Sequence, residues 1–232
     1  MSIASPYLSG PIYSHANTVN DGNAKFFKKL ALLENCRSNW NKAIQTANTG
    51  LTFTNNRQIK AGLYVLLAES YLHKTDYQKA IKAVKIGLAL NPSNQLKGKL
   101  WLEMTLIKHE KKLFKTAEVA AEIGLRFSKQ SNDHQTTTEL YVQLAWCKYK
   151  RGLWSKSEEI AKIGLKIKHP KADNETRAFL YKVYAAATYQ QGKLTETIVA
   201  ANAGLQLKPS QKLKTFFSEI LITIYRLHAL DN

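Results

Sequence analysis

The sequence predicts an all-α protein, a solenoid of antiparallel helix pairs in which five units are followed by a closing helix. Three observations carry that prediction. A Gly-Leu pair recurs at Gly50, Gly87, Gly124, Gly164 and Gly204, with intervals of 37, 37, 40 and 40 residues, and self-similarity at such a period marks a repeat array. Small residues recur at two fixed registers before each glycine: Ala43, Ala80, Ala117, Ser157 and Thr197 seven positions earlier, and Ala31, Ala68, Thr105, Ala145 and Ala185 nineteen positions earlier. A large residue stands ten positions before each glycine, at Trp40, Tyr77, Phe114, Trp154 and Leu194.

Taken in chain order, residues 1–23 hold Pro6, Gly10, Pro11 and several Ser and Asn, and read as a flexible tail. They carry no basic segment followed by an apolar run of the signal-peptide kind. Units then start near residues 24, 61, 98, 138 and 178. In each, the two small registers mark where two helices cross closely, since axes approach to about 8 Å only over small side chains. A glycine inside a helix costs about 0.8–1 kcal/mol relative to alanine, so five at one register need a packing reason; the alternative is that each simply terminates its helix. Turn chemistry precedes the large residue in Ser38-Asn39, Thr75-Asp76, Gly152 and Gly192, and Thr75-x-x-Gln78 and Ser155-x-x-Glu158 have the form of capping boxes. The units lengthen through polar connectors such as Ser131-Asn132-Asp133-His134 and Lys171-Ala172-Asp173-Asn174. Residues 212–232 place Phe216, Phe217, Ile220, Leu221, Ile224 and Leu227 at helical spacing, as expected of a helix that caps the last unit or pairs with a partner.

The second unit, with Tyr64, Leu67-Ala68, Tyr71, Tyr77, Ala80 and Pro92 in order, resembles the tetratricopeptide repeat. The resemblance covers about four-fifths of the chain. It departs from the family pattern in its late glycine and in Lys108 and Lys148, which stand where the family has tyrosine. The resemblance implies a right-handed superhelix whose first helices line a concave groove. Carried onto this sequence, the groove positions are Lys28 and Leu32, then Val65 and Glu69, then Leu102, Leu106 and His109, then Val142, Trp146 and Tyr149, and finally Phe179, Lys182 and Tyr189. Such a surface suits an extended peptide or an amphipathic helix. Burial of Leu102, Leu106, Val142 and Trp146 between long helices is the competing reading. The family's clamp for chaperone C-terminal carboxylates is not expected, because Leu32, Leu66 and Glu103 stand where asparagine, asparagine and arginine would be needed.

Composition narrows the function. Lys and Arg total 34 against 17 acidic residues, a net charge of +17 that draws acidic proteins or polyanions. No phosphate-binding loop, nucleophile elbow or paired-histidine metal motif is present, so no enzyme, cofactor or metal is expected. Glu158-Glu159 reads as a solvated pair in the first turn of a helix. Cys36 and Cys147 are far apart, which fits a reducing compartment, and no run of about 18 apolar residues suggests a membrane span. The expectation is therefore a cytoplasmic, non-enzymatic scaffold or chaperone-like adaptor for an acidic or amphipathic protein segment. The alternative is a nucleic-acid-associated protein, suggested by Lys148-Tyr149-Lys150-Arg151 beside Trp154. Self-association through the last helix or the Phe26-Phe27 edge is a third possibility.

Overall fold

The computed structural model describes residues 12–167 and 174–230. Among them all regular structure is helical: α1 (Ile12–Cys36), α2 (Trp40–Thr52), α3 (Arg57–His73), α4 (Tyr77–Ala89), α5 (Asn94–Glu110), α6 (Phe114–Gln130), α7 (His134–Lys150), α8 (Trp154–Leu165), α9 (Asn174–Gln190), α10 (Leu194–Gln206) and α11 (Gln211–Leu230). The architecture is a helical solenoid of antiparallel pairs, the odd helices being the first and the even helices the second members of each pair. The chain divides into two compact units, Met1–Leu96 and Lys97–Asn232, with the boundary in the first turn of α5.

In the first unit α1, α2, α3 and α4 pack successively, and α1 also touches α3. In the second, α6 through α11 pack successively, and α7, α9 and α11 touch one another in turn. First helices therefore form one layer and second helices another. The small registers explain how closely the layers meet. All ten residues are fully buried, and Ser157 Oγ donates directly to the Ala145 carbonyl across one crossing at 2.8 Å.

Each second helix continues past its glycine, so the helix-terminating alternative does not hold. A methyl group at Gly124 would lie 3.0 Å from both methyls of Leu140 and 3.1 Å from Trp101 Cβ; at Gly164 it would meet Leu180 and Tyr141 Cβ at 3.0 Å. Gly50 receives Leu63 and Phe27 in the same way, and at Gly204 the ring of Phe217 would be only 2.2 Å from the added carbon. One large side chain of the following first helix thus seats over each of these glycines.

The five first-to-second turns share one geometry. Ser38, Thr75, Lys112, Gly152 and Gly192 have φ between 57° and 72°, and the next residue's N–H donates five residues back, as in Leu113 N–H to Lys108 O at 2.9 Å and Leu153 N–H to Lys148 O at 3.0 Å. This is the Schellman arrangement. It corrects both expected capping boxes. Thr75 occupies the left-handed position, so Asp76 caps α4 by accepting from Lys79 N–H at 3.1 Å. Ser155 lies inside α8 and donates to Gln191 Oε1.

Residues 12–23, expected as part of a flexible tail, belong to α1; Met1–Pro11 lie outside the described residues. Their Asn-rich sequence reads as a loop in isolation. The Asp21 carboxylate, however, accepts from the Thr54 hydroxyl and, at 3.3 Å, from Asn56 Nδ2, tying the early turns of α1 to the α2–α3 connector. Of the connectors singled out in the sequence, residues 171–173 also lie outside the described residues. No helix among those described is long and apolar enough to cross a membrane.

Two buried carboxylates link neighbouring pairs. Glu118 on α6 receives Lys148 at 2.7 Å and Arg151 at 2.6 Å, which gives one lysine departure from the family pattern a structural partner. Glu158 on α8 receives Lys162 at 2.6 Å, Lys193 at 2.8 Å and Gln191 Nε2 at 3.0 Å. Glu158 is therefore not the solvated residue its sequence suggested.

Candidate functional site: an aromatic and cationic groove

Aligning the first helices by the sequence repeat, with Leu100 at the register of the seated Leu140 and Leu180, puts Leu106, Trp146 and Ala186 at one register, and His109, Tyr149 and Tyr189 one turn later. Stacking α5, α7 and α9 side by side brings these positions into one row. Trp146 stacks on Tyr149 with centroids 5.3 Å apart and planes 20° apart. His109 approaches the Trp146 ring edge-on at 6.4 Å, and its Nδ1–H donates to Gln143 Oε1 at 3.0 Å. Burial lowers the His109 pKa, only partly opposed by that hydrogen bond, so the imidazole is neutral at physiological pH.

Two lysines lie over these rings. Lys150 Nζ is 4.6 Å from the Trp146 centroid. Lys182 Nζ is 5.4 Å from Trp146 and 5.2 Å from both Phe179 and Phe216. Burial lowers the Lys182 pKa, and the neighbouring charges of Lys212 and Lys150 push it in the same direction. Beside the rings, Tyr149, Ala186, Tyr189, Gln190, Phe216 and residues of α11 line an open cleft of about 230 Å³. Ala186 leaves that space because it is small at the register where α7 carries Trp146.

Seven of the sequence-derived groove positions, Leu106, His109, Trp146, Tyr149, Phe179, Lys182 and Tyr189, are half-buried positions in this second unit. Leu102 and Val142 are not available. They are 7% and 6% exposed and belong to the core with Leu125, Leu140 and Leu180, because they point between first helices rather than along the open side. Lys28 and Val65 lie in the first unit, half-buried on α1 and α3, with the Lys28 stem running beside Gly62. Sequence reasoning did not assign Lys150, Lys212 and Phe216 to the groove. The signal for Phe216 was present: it precedes the seated Phe217 as Phe179 precedes the seated Leu180.

No known family profile matches the chain, and no curated protein matches it by sequence. Among solved structures, the crystal structure of BtubC (BKLC) from P. vanneervenii is similar over 85% of this chain and 91% of that one, with a TM-score of 0.66 and 14% identity. At that identity the likeness is one of fold alone: the chain shares the helical-repeat architecture of BtubC.

Proposed function

We propose that this protein is a non-enzymatic protein–protein interaction scaffold of tetratricopeptide type, whose second unit holds a peptide or helical segment of a partner in the groove of α5, α7, α9 and α11. The observation that carries the reading is the half-buried cluster of Trp146, Tyr149, Phe179 and Phe216 under Lys150 and Lys182. Pre-positioned aromatic side chains beside an open cleft make strong anchors for a partner, because they bury large areas at little entropic cost. The polar and charged groups around them supply orientation rather than a reaction centre. The unpaired Cys36 and Cys147 are compatible with a cytoplasmic setting.

Trp146→Ala tests the assignment. Trp146 is only half-buried and caps no helix, so the variant should keep its helical circular dichroism while affinity for the partner peptide falls by 2 kcal/mol or more, roughly thirtyfold. Unchanged affinity in a folded Trp146→Ala protein would remove the groove from the proposal.

A further inference from the structure

Several cations of the second unit are matched to buried acids. Lys148 and Arg151 share Glu118, and Lys162 and Lys193 share Glu158. Lys182, at the centre of the groove, makes no salt bridge among the described residues, and no hydrogen bond between described residues uses its three N–H donors. The charged groups that act on it, Lys212 and Lys150, are also cations. Glu219 lines the adjoining cleft but does not pair with it. The half-buried Lys182 therefore lies with the exposed Lys150 at the Trp146 ring, without a counter-ion among the described residues, an arrangement that a bound anion would relieve.

We propose that Lys182, beside Lys150, forms an anion subsite for one Asp or Glu side chain of the bound peptide, with apolar residues of that peptide seated against the edges of Trp146, Phe179 and Phe216. This rests on the scaffold reading above and specifies its ligand. A carboxylate fits better than a nucleic-acid strand for two reasons. The Trp146 ring is already stacked by Tyr149 and approached by both lysines, and Phe179 and Phe216 are approached by Lys182, so a stacked base would have to displace these contacts, whereas an apolar side chain needs only a ring edge. Lys150 and Lys182 also meet at one ring instead of tracking a phosphate backbone, which matches a single point charge.

Random dodecapeptides displayed on phage and selected on the full-length protein provide the test. Winners should carry Asp or Glu beside a large apolar residue. A synthetic winner should bind about tenfold more tightly than its Asn or Gln counterpart. In Lys182→Gln the two peptides should bind alike, whereas Lys182→Arg should keep the preference. Winners without an acidic residue, or a preference that persists in Lys182→Gln, would overturn the subsite while leaving the groove intact, provided Trp146→Ala weakens their binding. Failure to enrich any peptide, or winners indifferent to Trp146→Ala, would overturn the groove and the subsite together. A fluorescent oligo(dT) that binds in a Lys182-dependent manner would overturn the choice of a peptide carboxylate.

Discussion

The repeating glycine shows what a single atom decides in this fold. In a helix, alanine is favoured over glycine by about 0.8–1 kcal/mol, yet at Gly124 the added carbon would press on Leu140 and Trp101 at 3.0–3.1 Å. Both neighbours sit in a packed layer, and such overpacking costs about 1–3 kcal/mol. Gly124→Ala should therefore lower stability by up to about 2 kcal/mol net. Gly22 is the control: it lies inside α1, exposed, with nothing within 4 Å of an added carbon. Gly22→Ala should raise stability by up to about 1 kcal/mol. Urea unfolding of the two variants checks the pair, and a stabilising Gly124→Ala would show that the Leu140 seat is loose.

At the scale of the element, the turn and the inter-pair ion links behave as interchangeable parts. Lys112 holds a left-handed backbone at φ 57° where the fourth and fifth turns use Gly152 and Gly192. Lys112→Gly should stabilise by about 0.5–1 kcal/mol, since it removes the side-chain penalty of that conformation; a lower thermal midpoint would contradict this. Glu158 carries the pH dependence. Burial alone would raise its pKa, but the hydrogen bonds from Lys162, Lys193 and Gln191 prevail and hold it at about 2, against an ordinary value of 4.5. A carboxyl with a depressed folded-state pKa adds stability above the unfolded value and loses it as pH falls toward the folded one. Because Lys162 and Lys193 are 45% and 41% exposed, the contribution is screened to the order of 1–2 kcal/mol. Wild-type stability should thus decline between pH 5 and 2, whereas Glu158→Gln should be less stable at pH 6 and flatter below it. Parallel pH slopes in the two proteins would assign the acid sensitivity elsewhere.

For the whole molecule the governing quantity is the net charge of +17. Charge of one sign over a protein surface accelerates encounter with the opposite sign, and added salt screens that field over a Debye length of about 10 Å at 0.1 M and 3 Å at 1 M. Binding of an acidic peptide should therefore slow by about tenfold in association between low and high salt. Dissociation, which is set by the aromatic contacts, should change little. Stopped-flow tryptophan fluorescence separates the two rates, and a salt effect confined to dissociation would argue against steering by the global charge.

The sequence by itself determined the repeat: its period, the small crossing residues, the large residue that opens each second helix, and the helical class. Those features are local or strictly periodic, so one-dimensional spacing expresses them fully. Only the tertiary structure decided which side of each first helix is open, and periodicity could not separate the core residues Leu102 and Val142 from the half-buried Leu106 and Trp146 one turn away. The bonds of Glu118 to Lys148 and of Glu158 to Lys193, the anchoring of α1 through Asp21 and the meeting of Lys150 and Lys182 at Trp146 are likewise tertiary. Each joins residues about 30 positions or more apart, or sets a charge against burial, and both depend on how neighbouring helices pack.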